Sequence, residues 1–396
     1  MTDRRTLPPV WIMGLTNATF GMMGGFAVIT VPEMLAAQGV PGGQIAAIVA
    51  TILSPGFWSF VLAPMLDVRF ARRTYAFVFS LLTAGAAAFT VLHRTNVHAV
   101  VIAMFLGYIA ASQVQGAVGG WTGSLIDRKD DSKLGAWFAV ANTGVGGLMM
   151  ISGGELVSHL PGPLAALAIA VILMLPCAIY PFIPAPPPDG RLASESFRQF
   201  FRDLVSLVQQ PSVVRTLILF CLPAAGFALT NVLGGLGRDF SASEHLVSVL
   251  AGVGTMTAGV CGSLLVPVLA RQAPLRAVYL GIGVVGGLFT LGMLMLPHVP
   301  WAFAVVITGQ NVFQACSFAT VNGITFETIG PKNPLAATQF SLLIAIANLP
   351  ITYMGYVDGH AYTLGGLRGA YLADALLSIT ACAALAWGMR RWLRTA

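Results

Sequence analysis

Charge is scarce in this chain. Asp, Glu, Lys and Arg make up 9% of its 396 residues and hydrophobic residues 56%, whereas a soluble domain carries about 25% charge. So few charges cannot cover a surface that faces water, which excludes an ordinary soluble globule. Cysteine is sparse too. Cys177, Cys221, Cys261, Cys316 and Cys382 fall inside apolar stretches without ligand spacing. That excludes a disulfide framework or a metal cluster and leaves them as small packing residues. The histidines form no ligand-spaced pair. No phosphate-binding loop and no nucleophile–base pair stands out, so neither an enzyme, an ATP-driven pump nor a cofactor is expected. A cleavable signal peptide is not expected either, because the first apolar run is too long for a signal h-region.

What fills the chain is apolar helix. Spans are expected at 9–31, 43–66, 74–92, 97–123, 134–157, 163–184, 213–236, 246–269, 276–296, 301–325, 335–357 and 368–389. In lipid the backbone must satisfy its own polar groups, so these read as helices. The 21 Lys and Arg residues sort by side: only Arg94, Arg238 and Arg368 fall on one side of the expected bilayer. By the positive-inside rule the rich side is cytoplasmic, with both termini there. The net charge of +6 therefore reflects topology and not nucleic-acid binding.

The longest connection joins spans six and seven. Pro184-Ala-Pro-Pro-Pro-Asp-Gly190 breaks the helix, and 194–210 reads as an amphipathic helix on the membrane surface. The expected organisation is a six-helix half at 1–184, a linker at 185–212 and a second six-helix half at 213–396. The halves look like repeats. Pro64 and Arg73 after span two match Pro267 and Arg276 after span eight, and Asp127 before Leu134 matches Glu327 before Leu335. Paired halves of this kind mark carriers that alternate by rocking.

The run Asp67-Val-Arg-Phe-Ala-Arg-Arg73 resembles the signature Gly-x-x-x-Asp-Arg-x-Gly-Arg-Arg of the major facilitator superfamily. Ala63 and Ala71 stand where that signature has glycine, and the first arginine comes one residue late. The resemblance implies an all-α integral membrane fold of twelve transmembrane helices in two pseudo-repeat halves. It also implies that Asp67, with Arg72 and Arg73 as partners, steadies one of two alternating states. Within the superfamily, Val31-Pro-Glu-Met-Leu-Ala-Ala-Gln-Gly-Val40, Phe60-Val-Leu-Ala-Pro-Met-Leu-Asp67 and Ala336-Ala-Thr-Gln-Phe-Ser-Leu-Leu343 are similar to AmpG-type muropeptide permeases, of the peptide–acetyl-coenzyme A–drug permease branch. The span-one run Asn17-Ala-Thr-Phe-Gly-Met-Met-Gly-Gly25 departs from the Ser-Gly-Leu-Pro run of those permeases, and siderophore permeases share parts of the pattern.

A polar side chain inside a span is costly unless paired, and so is a functional candidate. Candidates for solute binding are Asn17, Tyr108, Gln113, Gln115, Asn142, Asn231, Gln310, Asn311 and Gln314. Gln310 and Gln314 are four apart and share a helix face. The resemblance implies that spans one, four, seven and ten line a central cavity, bringing Asn17, Gln113, Asn231, Gln310 and Gln314 together. Amides donate and accept, which suits peptides and sugars. The alternative is bonding between helices, worth only about 0.6 kcal/mol per bond. Trp121 and Phe313 are further stacking candidates. For proton coupling the carboxylates of choice are Asp374 and Glu155, the alternative being a helix-end acid paired with a base such as Arg368.

The resulting expectation is a monomeric secondary carrier of a bacterial inner membrane, driven by protons, that takes up a polar, amide-rich solute such as a muropeptide. A siderophore or drug-like solute is the alternative cargo. A non-transporting membrane sensor or assembly partner is the alternative of another class.

Overall fold

The computed structural model describes residues 7–186, 205, 208–230, 237 and 239–393. The expected surface helix at 194–210, apart from Val205 and its last three residues, lies outside the described residues, as does Asn231. All regular structure among the described residues is helical. Ten helices among the described residues are long and apolar enough to cross a membrane, which makes this a multi-pass membrane protein. In chain order these are α1 (Ala18–Ala37), α2 (Gly42–Asp67), α3 (Arg72–Leu92), α4 (Val97–Gly123), α5 (Arg128–His159) and α6 (Gly162–Phe182). The shorter apolar helix Pro211–Cys221 follows as α7, then α8 (His245–Leu269), α9 (Leu275–Met293) and α10 (Pro300–Ile329). The tenth, Ala336–Gly388, is two helices joined at Gly365 and Gly366. Gly366 takes φ 58° there, a conformation open to glycine without strain. We name the two parts α11 (336–364) and α12 (367–388).

The helices form two compact units. One comprises Met1–Asp130, Val145–Leu207 and Ile329–Ala345, and the other Asp131–Gly144, Val208–Thr328 and Ile346–Ala396. Two helices therefore contribute to both: the start of α5 packs in the second unit and the start of α11 in the first. Small residues set the spacing inside each unit. In the first, a Cβ on Gly25 of α1 would strike the Gly146 carbonyl of α5, and one on Gly120 of α4 would strike the Ala337 backbone of α11. In the second, a Cβ on Gly259 of α8 would come within 2.6 Å of Thr143 Oγ1 on α5. Without a hydrophobic drive between helices in lipid, such close approach is what holds the spans together.

The span expected at 213–236 is not one continuous helix. α7 stops at Cys221, and Leu222 leaves it with φ −90° and ψ 150°. Pro223 follows, which disfavours a helical conformation for the residue before it and removes a donor. The carbonyls freed downstream are met by side chains from other helices. Tyr353 Oη donates to Cys221 O at 2.8 Å, Ser317 Oγ to Ala225 O at 2.7 Å, and Cys382 Sγ to Ala224 O at 3.2 Å. Irregular backbone at membrane depth is tolerated where protein satisfies it in this way.

If the α4–α11 approach sets this packing, Gly120→Ala costs about 1–3 kcal/mol, the usual penalty of overpacking. Gly85→Ala, with nothing within 4 Å of its Cβ, is the matched control and costs nothing measurable. Melting of the two variants in detergent checks this, and equal melting temperatures refute it.

Candidate functional site

The first site forms where α2 ends. From Ser59 to Asp67 the chain tightens into a 3-10 helix containing Pro64, and this delivers the Asp67 carboxylate to the start of α11, 270 residues further on. Oδ1 accepts from Ala337 N at 3.1 Å, and Oδ2 accepts from Thr338 N at 2.9 Å and Thr338 Oγ1 at 2.7 Å. Arg72 Nε donates to Oδ1 at 2.7 Å, and the Asp67 side chain is 0% exposed. The first backbone N–H groups of a helix have no partner within it and carry partial positive charge. A carboxylate is the natural acceptor for them, and Asp67 serves as a cap supplied from a distant part of the chain.

Arg72 extends the cluster. Its other nitrogens donate to Pro334 O at 2.8 Å, Asn333 O at 3.0 Å and Ser124 Oγ at 3.4 Å. The α10–α11 loop is bent to present those carbonyls: Gly330 takes φ 67° and Lys332 φ 60°, with Lys332 N held by Ser124 O at 3.3 Å. Asn333 fixes the loop further, bonding Gln339 Oε1 at 2.7 Å and Leu335 N at 2.9 Å. A cavity of about 540 Å³ borders the cluster. Arg73 is exposed and takes no part. The matching arginine of the other unit, Arg276, binds Glu327 Oε1 at 2.5 Å.

The amide candidates fall into two groups. Several are spent on structure. Gln113 Nε2 donates to Ser59 O at 3.0 Å, where α2 changes to the 3-10 form. Gln310 is fully buried and donates to Thr290 Oγ1 on α9 at 2.7 Å. Asn311 bonds its own helix at Ile307 O. Gln314 reaches Thr230 Oγ1 at 2.6 Å and Phe227 O at 3.4 Å beside the α7 break. Gln310 and Gln314 thus share a face of α10 but serve different neighbours. Asn17 is fully buried at the N-terminal edge of α1. Trp121 donates to Pro184 O, and Phe313 stacks on Phe227 at 5.8 Å.

The second group makes no hydrogen bond through its polar side-chain atoms among the described residues: Tyr108 and Gln115 on α4, and Asn142 on α5. Tyr108 and Gln115 are seven apart, two turns along one face of α4. Asn142 is half-buried inside a π-helical turn, Val140–Gly144. Such bulges are frequent at functional sites, because they re-aim a side chain at the expense of the regular bonding ladder.

The carboxylates divide as sharply. Glu155 is exposed and pairs with His159 at 3.1 Å, so the burial that coupling requires is absent from it. Asp374 is 3% exposed, and Asp358, opposite it in the α11–α12 hairpin, is 1% exposed. The hairpin register follows from Gly369, where a Cβ would strike Ala361 O. That register brings the two acids to similar depth, and they are electrostatic neighbours. Neither Asp358 oxygen has a hydrogen-bond partner. Arg368 is exposed and forms no ion pair with Asp374 among the described residues.

Sequence reasoning missed Thr338, Asn333 and Asp358. Thr338 lies in the stretch Ala336-Ala-Thr-Gln-Phe340 that carried the resemblance, and its placement explains four of those residues together. Ala337 meets Gly120, Thr338 caps onto Asp67, Gln339 binds Asn333, and Phe340 lies on Gly119. Asp358 had no signal beyond being an acid in a span.

No family model and no curated protein matches this chain. Among solved structures, the human organic anion transporter MFSD10 superposes with a TM-score of 0.67 at 17% identity, covering 95% of this chain and 98% of its own. The transporter FucP in its outward conformation superposes with a TM-score of 0.68 at 15% identity, covering 95% of this chain and 99% of its own. At such identities the likeness is one of fold: this chain folds as these two transporters do, the second of them a member of the major facilitator superfamily.

Proposed function

We propose that this chain is a secondary active transporter that works by alternating access. The observation that carries the reading is the Asp67 cap on α11. A buried carboxylate with four donors, three of them on α11, is stable only while α11 stays docked. An alternating carrier must release and remake such a contact in every cycle, and the single acid with its arginine makes the step reversible. The half boundaries at 184 and 213, the cytoplasmic placement of both termini, the bacterial inner membrane and a monomeric state belong to the same reading. The charge asymmetry of the loops supports the placement of the termini, and the repeated sequence pattern of the halves supports the boundaries.

Proton coupling falls to the Asp358–Asp374 pair. Two acids enclosed in a helix hairpin, with no base paired to them among the described residues, are costly when both are ionised. The pair suits a proton taken up on one side of the membrane and given up on the other as the hairpin's surroundings change. The cargo is a polar, amide-rich solute, of which a muropeptide is the example favoured by the resemblance of the Ala336–Leu343 stretch. Gln115 and Tyr108, on one face of α4, are groups left open to bind it, and Asn142 on α5 is a separate open candidate. No nucleic acid or cofactor enters this reading.

Proteoliposome uptake tests the cap. Asp67→Asn keeps the shape but loses the charge, and should slow uptake about 10- to 100-fold, the worth of a charged hydrogen bond. Arg73→Gln, as an exposed charge, should stay within about twofold. Equal effects of the two would reject the cap as a transport element. For coupling, Asp358→Asn and Asp374→Asn should each abolish protonophore-sensitive accumulation while sparing counterflow exchange, and accumulation that survives in both sinks the pair. For cargo, a thermal-shift screen would use muropeptides, acetyl-coenzyme A, siderophores, sugars and organic anions. Asn142→Ala should weaken the ligand-induced shift about 3- to 10-fold in concentration. Gln310→Ala should lower the ligand-free melting temperature and leave the ligand response intact; loss of the response in Gln310→Ala alone contradicts the assignment.

A further inference from the structure

Within the second unit a cleft forms where α12 ends and α7 begins. Its volume is about 570 Å³, and Arg215, Trp387, Gly388, Met389, Arg390 and Trp392 line it. That size is within the range of roughly 300–1,000 Å³ typical of small-ligand sites. One wall is built rather than loose. Trp392, in the short helix Arg390–Leu393, is 9% exposed. Its carbonyl accepts from Arg276 Nη1 at 3.2 Å, and its ring lies 4.2 Å beneath the Arg276 guanidinium. Arg276 is in turn held by Glu327 at 2.5 Å. The α12 tail is therefore pinned, and the charge of Arg276 is committed.

Among the described residues, the charges facing the cleft from the remaining walls are Arg215, in the first turns of α7, and Arg390. Both are exposed, and neither forms an ion pair or hydrogen bond among the described residues. Trp387 stands beside them, 81% exposed at the end of a membrane-spanning helix. An indole at that level suits the headgroup zone of a bilayer, with its ring in the lipid and its N–H among polar groups. Two guanidinium forks offer bidentate donors to phosphate oxygens. The juxtaposition is one of fixed position, open positive charge and a lipid-level aromatic.

We propose that this cleft binds a phosphate group, that of an anionic phospholipid headgroup lodged between the ends of α7 and α12. Basic pockets between membrane helices have the chemistry to hold such headgroups. None of its lining residues belongs to the Asp67 cap or to the carboxyl pair, so its occupancy is not part of the proposed transport chemistry.

Native mass spectrometry of the detergent-purified full chain tests this. The arms are phosphatidylglycerol, phosphatidylcholine, and phosphatidylglycerol with millimolar inorganic phosphate. Wild type should retain phosphatidylglycerol over phosphatidylcholine, and Arg215→Gln/Arg390→Gln should retain it about 30-fold less well, at the usual contribution of each basic residue near an anionic surface. Arg215→Lys/Arg390→Lys keeps the charge and should retain most of the binding, which separates loss of the site from loss of the fold. Inorganic phosphate should leave lipid retention unchanged; if it displaces the lipid, the ligand is a soluble phosphate and the lipid assignment falls. Equal retention of the two lipids, or full retention by the glutamine pair, overturns the site itself.

Discussion

The Asp67 carboxylate is the contact on which the first unit depends. It stands where α2 has been tightened by a 3-10 turn, and it binds a helix start from far along the chain. Each part is needed by the others. The helix start has N–H groups that water cannot reach, the carboxylate is fully buried, and Arg72 brings the opposite charge and ties down the preceding loop. Removing one member would strand a buried charge, at a cost of about 3–5 kcal/mol. The glycines of α4 belong to the same arrangement, because only side-chain-free positions let α11 come close enough for its N–H groups to reach the acid.

The second unit manages a different constraint. α7 breaks inside an apolar span, and carbonyls freed there accept side chains of α10, α11 and α12. Those bonds come from Gln314, Ser317, Tyr353 and Cys382. The cost of irregular backbone in lipid is thus met by ordinary hydroxyl, amide and thiol donors. Gln314 is accounted for by this duty, and Gln310 by its bond to Thr290. Polar residues at helical spacing in a span are ambiguous between cargo and structure, and hydrogen-bond commitment is what separates them. By that criterion Asn142, Gln115 and Tyr108 are the open groups.

The acids show the same division. Glu155 and Asp374 are both carboxylates within expected spans, yet one is solvated beside a histidine and the other is enclosed with a second acid. Burial, which the proposed coupling requires, comes from the close α11–α12 hairpin, which Gly366 turns and Gly369 brings together.

The sequence by itself determined the environment and the all-helical, many-span character of the chain. Scarcity of charge and long apolar runs require helices in lipid, because these effects depend on local composition alone. It also marked Asp67, since an acid among topogenic arginines has no part in the positive-inside rule. The partner of Asp67, the pairing of Asp358 with Asp374, the break after α7 and the spent state of Gln310 were decided only by tertiary structure. Each depends on which side chain lies opposite, often more than a hundred residues away, and helical periodicity places a residue on a face without saying what that face meets.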